Sequence, residues 1–421
     1  MPIARTSTVR DLRNNNRSRA LWELYFSAPL NRQEVGLASG FSAATVSNVL
    51  GELIAQNVVV EVGSEDSNGG RPRSLFQLNP EYGYVIGVDI GETEILVELF
   101  DLTMALRATH RSLTELPGLE PESAVTRISE AITSVIAESG VSRSAILGVG
   151  VGVPGLVVQA EDAIIYGQTI GWNAVPFGKM LREQVSLDVM IDNGARTLGQ
   201  AERWFGAART SLVSATVLMG SGVNAKISDS SLPSMQNRGG MGEWGHTTIV
   251  VGGRVCRCGA TGCLEAYVGA DAVVQRYDEL RGDPTAARPA VGLEDRVIGI
   301  LQSDGTDPVA SQVVEETVTF LAAGLSSLVN LFRPDRVVIG GWFGQALSQT
   351  LLPRVQQAVS ETALKLPFSQ VEFRAAELGA GAVAIGAATL PMARFLDSGA
   401  AVTNLATGRR RAPRTFLADS N

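Results

Sequence analysis

Two stretches of this chain share one outline. YVIGVDIGETEILVELFDL (residues 84–102) and SATVLMGSGVNAKIS (residues 214–228) each spell strand, glycine turn, strand, about 130 residues apart. An isolated two-stranded unit is marginal in water, so each copy needs further strands and helices to cover it. The sequence supplies them: the strand ILGVGVGVPG, the amphipathic helix PESAVTRISEAITSVIAES, the long helix ASQVVEETVTFLAAGLSSLVNLF, the strand DRVVIGG and the late helix GAGAVAIGAATLPMARFL. Two copies, each followed by α/β material, predict a duplicated α/β fold with two lobes and a cleft between them. Pro284 and Pro289 mark an exposed loop in the second lobe.

At 421 residues the chain exceeds one hydrophobic core, and 45% hydrophobic with 19% charged residues fits a packed protein rather than a disordered one. No apolar run reaches the ~18 residues of a membrane span, and MPIARTSTVRDLRNNNRSR has no signal-peptide core. The expectation is a cytoplasmic protein with no membrane contact.

The net charge of -8 hides an asymmetry. Residues 1–80 hold eight Arg and seven Asp or Glu, a sum of +1, which leaves -9 for the rest. In this head, Leu21, Leu24 and Tyr25 recur at helical spacing, and two more helices meet at a turn at Gly40. Ser42 is a natural N-cap for the third helix, whose stripe Val46, Leu50, Leu53 and Ile54 would face the core. Ala43, Ala44, Thr45, Ser47 and Asn48 are left outside, small enough for a helix that enters a major groove. The strands VVVEVG and SLFQL follow, with Arg71 and Arg73 of GGRPR near the tip between them. The order predicts a winged helix-turn-helix over residues 1–80 that binds double-stranded DNA; the competing reading is a protein-docking module.

All three cysteines and one of two histidines fall within eighteen positions. C-x-C-x4-C with a histidine ten residues upstream offers four ligands, Cys256, Cys258, Cys263 and His246, enough for a closed tetrahedral structural zinc site. His110 has no such company and is expected to be an ordinary surface or core residue.

The winged head, DIGET, GVPG, GEWGHTTIV and CRCGATGCLEAYVG together resemble the ROK family of sugar kinases and sugar-responsive transcription factors. The resemblance covers roughly residues 15–395. It implies an actin-like, ribonuclease-H-like duplicated ATPase fold over residues 81–397, usually dimeric or tetrameric; from Ser398 the chain loses its periodicity, and 398–421 is expected to be a disordered basic tail. It also implies that Glu243, His246 and Glu265 line a sugar site and that Asp192 holds the position of the catalytic base. The zinc ligands it implies are the four read above.

The chain departs from the kinase pattern. Ile191 stands where the family's kinases usually have an asparagine, Glu92 where DIGGT has its second glycine, and Asn224 where the second phosphate loop has its last. A carboxylate facing a phosphate ~4 Å away costs about 4 kcal/mol at an effective dielectric of ~20, and side chains obstruct the backbone's approach to phosphate. The chain is therefore expected to be no enzyme but a repressor of carbohydrate genes, with a sugar effector, preferably neutral, in a kinase-derived pocket. A sugar kinase with a DNA-binding head and a ligand-free scaffold are the alternatives.

Overall fold

The structure is a computed structural model that describes residues 9–66, 72–91, 94–113, 119–158, 162–167, 170–230, 242–282 and 292–401. It divides into two units, residues 1–79 with 394–421, and residues 80–393.

The first unit has helices α1 (Val9–Ser27), α2 (Arg32–Ser39) and α3 (Ala43–Ala55) and strands β1 (Leu30–Asn31), β2 (Val59–Glu65) and β3 (Arg73–Leu78). The strands form an antiparallel sheet in the order β1-β3-β2. Local signals set the helix ends. Gly40 closes α2 at φ +70°, a conformation only glycine adopts without strain, and the Ser42 hydroxyl accepts the Thr45 N–H at 3.2 Å. Asn31 caps α2 in a full capping box with Glu34, which satisfies otherwise orphaned N–H groups.

One expectation needs correction here. The buried stripe of α3 is Val46, Val49, Leu50 and Leu53, while Ile54 is 36% exposed. The i, i+3, i+4, i+7 set centres on Val49 and turns position 54 to its edge. Residues 394–401 group with this first unit, where the Trp22 indole donates to the Asp397 carboxylate at 2.9 Å.

The second unit carries both copies of the repeated outline. Strands β4 (Tyr84–Ile90), β5 (Glu94–Asp101), β6 (Leu106–Leu113), β7 (Ile146–Val153) and β11 (Val189–Asn193) form a sheet in the order β11-β7-β4-β5-β6. Strands β12 (Val213–Met219), β13 (Val223–Asp229), β14 (Arg336–Gly340) and β15 (Glu372–Ala375) form another in the order β13-β12-β14-β15. In each, an antiparallel hairpin gains parallel strands on the side of its first member. Thus β4-β5 matches β12-β13, and β7 and β11 match β14 and β15. Between β7 and β11, β8 (Leu156–Val158), β9 (Ile164–Gly167) and β10 (Trp172–Val175) make a small third sheet.

Each large sheet has its own core. The first is covered by α4 (Pro121–Ser139) and α5 (Phe177–Val185), burying Ile86, Val88, Ile128, Ile132 and Val151. The second is covered by α8 (Ala270–Arg281), α9 (Leu293–Gln302), α10 (Pro308–Phe332) and α11 (Gly341–Thr362), burying Val217, Leu321, Leu325, Ile339 and Phe343. The short helices α7 (Glu265–Val268) and α12 (Lys365–Ser369) precede α8 and follow α11.

Helix α6 (Gly194–Phe205) follows β11 and packs on β12 and β13, so it belongs to both halves. Helix α13 (Ala382–Asp397) lies against the first sheet at glycines: a Cβ on Gly87 would sit 2.0 Å from the Ala384 carbonyl oxygen, and one on Gly150 1.8 Å from that of Ala387. Gly379–Asp397, this helix with the turn before it, is long and apolar enough to span a membrane, but 61% of that window is buried inside the protein. It is a core helix by position.

Candidate metal centre and ligand site

The metal-ligand stretch folds as a knuckle. Isolated bridges join Thr248 to Cys263 and Val255 to Thr261, and the Gly259 N–H donates to the Cys256 carbonyl at 2.9 Å. Gly262 permits the crossing: it has φ +81°, and a Cβ there would lie 1.8 Å from the Val250 carbonyl oxygen. One donor atom from each of His246, Cys256, Cys258 and Cys263 comes within 4.8 Å of the others, a cluster that could hold a metal ion. Cys256 Sγ is 3.7 Å from His246 Nδ1, and Cys258 Sγ is 3.8 Å from Cys263 Sγ. Burial pushes the Cys256 thiol up to about 12 and raises that of Cys263. Only a nearby cation turns such sulfurs into thiolates.

The knuckle leads directly into carboxylates. Glu265 is 6% exposed; one oxygen accepts the Val223 N–H at 3.0 Å and the other Arg257 Nε at 2.9 Å. Arg257 sits between two of the metal-site cysteines and also approaches Asp271. Glu243 accepts from Asn224 Nδ2 at 3.1 Å, and burial raises its pKa above the ordinary glutamate value. Asn224 Oδ1 in turn accepts the Trp244 N–H at 3.1 Å and the Ala225 N–H at 2.8 Å. The residue expected to obstruct a phosphate thus braces the loop that carries Glu243.

Asp192 lies at the end of β11. Its Oδ1 accepts from Arg196 Nε at 2.8 Å and from the Asn193 N–H at 2.9 Å. Strand registers pair both Asp192 and Asp89 with Gly152, which puts the two aspartates in one row across β7, about 10 Å apart at 4.8 Å per strand. Burial, then Glu94 and Glu98, push Asp89 up to about 7. Alternation along β13 puts Asn224 and Lys226 on one face; Asn224 holds Glu243, and Lys226 lies near Arg196 and Asp192. The structure therefore brings Glu243, Glu265 and His246 together and joins them to Asp192 through β13.

In the first unit, Ala44, Ser47 and Asn48 are exposed on α3, and Thr45 is half-buried, sharing a hydroxyl contact with Ser42 at 2.9 Å. Arg73 opens β3 and is exposed; Arg71, Glu92, Pro284 and Pro289 lie outside the described residues. His110 is half-buried on β6 opposite Val97. Sequence reasoning missed Arg196, Arg257 and Lys226. Only Arg196 carried a local signal, a cation four residues after an aspartate.

A duplicated two-sheet fold, with a cysteine knuckle feeding carboxylates into one face, defines a protein of sugar-kinase-like fold. The chain belongs to the ROK family, whose model matches residues 85–394. It is 26% identical to the xylose repressor of Caldicellulosiruptor bescii, over 87% of this chain and 93% of the relative. It is 29% identical to a glucokinase of Halalkalibacterium halodurans, over 72% of this chain and 93% of the kinase. Among solved structures, a ROK family transcriptional regulator described as a homologue of the E. coli MLC protein superposes with a TM-score of 0.75 at 22% identity, covering 92% of this chain and 98% of that one.

Proposed function

We propose that this protein is a sugar-responsive transcriptional repressor of carbohydrate genes, acting in the cytoplasm as a homodimer or homotetramer. The observation that carries the reading is a separate unit of three helices and a hairpin joined to a sugar-kinase-like unit. That first unit is a winged helix-turn-helix. Its α3 offers Ala44, Thr45, Ser47 and Asn48 to the major groove of an operator, and Arg71 and Arg73 place the wing on phosphate or in the minor groove. The second unit binds a sugar through Asp192, Glu243, His246 and Glu265.

The metal is a structural zinc ion. Sulfurs ~2.3 Å from a tetrahedral centre lie about 3.8 Å apart, the spacing of Cys258 and Cys263. Three sulfurs and one imidazole leave no place for water, so the ion cross-links the loop rather than catalysing. His246 spends one ring nitrogen on the metal and offers the other to the ligand.

The body has left kinase chemistry. A base must be free to take a hydroxyl proton, and Asp192 is tied to Arg196. The test is a fluorescence titration of labelled upstream DNA with full-length protein, with and without a panel of sugars, beside a coupled ATPase assay. Sugar-dependent operator affinity without turnover is expected. Sugar-dependent turnover at ~1 to 100 per second would establish the kinase instead, the reading that the glucokinase relative favours.

A further inference from the structure

Lys226 is a cation with no charge partner of its own. It is 8% exposed, and its Nζ donates to the neutral Gln200 Oε1 at 3.0 Å. Among the described residues no carboxylate makes an ion pair with it. The charged groups that face it are Arg196, of like sign, and Asp192, already held by Arg196 at 2.8 Å. The three groups sum to +1. An ammonium has three donors, and isolated buried charges are strongly disfavoured.

A place has been made for this lysine. A Cβ on Gly199 of α6 would lie 2.7 Å from Lys226 Cδ, so the glycine opens the passage along which the side chain runs. Directly opposite on β12 is Thr216, 0% exposed, and two residues along is Ser214, 1% exposed; both hydroxyls are buried without a hydrogen-bond partner. Unsatisfied buried hydroxyls on the neighbouring strand and an uncompensated ammonium need an explanation, and a bound polar group is one.

We propose that Arg196 and Lys226 form an anion subsite beside Asp192, and that the effector is a sugar bearing a phosphate or carboxylate group. The sugar part rests on the effector reading above; the subsite does not. An anion there would complete the donors of Lys226, relieve its repulsion from Arg196, and leave Glu243 and Glu265 for neutral hydroxyls. The expectation of a neutral sugar rested on Glu92 alone, and Arg196 and Lys226 argue the other way. Burial, with Arg196 beside it, pulls the lysine down to about 8, so anion binding near that pH draws a proton from buffer.

Calorimetry on the full-length protein tests this with inorganic phosphate and with matched sugars: D-glucose against D-glucuronate and D-glucose 6-phosphate, and D-xylose against D-xylonate. A charge-assisted contact predicts that an anionic member binds about tenfold or more tighter than its neutral match. Whether the uronate or the phosphate gains more tells the two sources apart. Lys226→Met, which removes a buried charge and should fold at least as well as the parent, abolishes the preference, and Lys226→Arg restores part of it. At pH 8 the parent's heat depends on buffer ionisation and that of Lys226→Met does not. If neutral sugars bind as tightly as their anionic matches in the parent, or if phosphate and anionic sugars bind Lys226→Met unchanged, the subsite is refuted while the effector reading stands. If phosphate binds through Lys226 but no sugar of either charge binds, the subsite stands and the sugar reading falls.

Discussion

Cys258→Ser removes one ligand of the proposed zinc site, and the structure sets the size of the effect. With metal, His246 and Cys263 are joined across seventeen residues. Closing a loop of about that length removes roughly 3 kcal/mol of chain entropy from the opened state. The core of the second sheet, with Val217, Leu321 and Ile339 fully buried, takes in Trp244 and Leu264 from the two ends of this segment, but most of its members lie outside it. Loss of metal should therefore open residues 243–265 locally rather than unfold the unit. At 1.4 kcal/mol per tenfold, amide exchange in that segment should accelerate about 100-fold, while β4 and β12 keep parental rates. Hydrogen–deuterium exchange with mass spectrometry, beside zinc content per chain, measures both. Glu243 lies three residues before His246 and Glu265 two after Cys263, so sugar affinity should fall with the metal. Metal-free Cys258→Ser protein with parental exchange across 243–265 and a parental sugar response would refute the clamp.

Asp89, with its pKa raised from 3.8 to about 7, holds its proton more tightly folded than unfolded. Its ionisation thus costs nothing at pH below 3.8, and the cost grows as pH rises to a ceiling of about 4 kcal/mol above pH 7. Asp89→Asn should be the more stable protein at pH 8 in urea titrations and equal to the parent near pH 3.5; a constant difference between the two would show that burial does not set this group. Asn31→Ala removes the acceptor of two α2 N–H groups and should lower the stability of the first unit by about 1 to 2 kcal/mol, read as an earlier loss of its helical signal on heating. Arg73→Ala should weaken operator binding and reduce the slope of log affinity against log salt by up to ~0.9, and Arg71→Ala should do the same. An unchanged slope in the double variant would take the wing off the DNA.

What the sequence made legible was whatever its own neighbours determine. Gly40 and Ser42 end and begin helices through bonds within four residues, and the knuckle's spacing C-x-C-x4-C is itself the geometry of the site. The capping box of Asn31 and Glu34 was equally local, and its N-x-x-E pattern could have been found. Ile54 was misplaced because a helical stripe read from spacing alone does not say where its edge falls. The partners of the carboxylates were beyond reach for a different reason. Arg257 meets Glu265 only once the knuckle has folded back, and Lys226 reaches Gln200 and Arg196 only because α6 crosses β13 at Gly199. A strand pattern reveals that positions 224 and 226 share a face, but not that a helix will bury one of them.

The departures from the kinase pattern are better explained as construction than as decay. A decayed phosphate loop would leave a side chain at position 224 pointing at nothing, yet Asn224 uses both ends of its amide. It donates to Glu243 and accepts from Trp244 and Ala225, so it fixes the carboxylate and the chain that carries it. Arg196 likewise occupies one oxygen of Asp192, which suits an acceptor held in place and not a base that must release and recapture a proton. Arg257 does this for Glu265. In each case the side chain fixes a hydrogen-bond acceptor in or beside the cysteine knuckle or at the end of β11. Fixed acceptors favour recognition, since a ligand meets groups already oriented and loses little by ordering them. On the proposed repressor reading, acceptors fixed in this way would bind a ligand and return it unchanged, which is what a sensor requires.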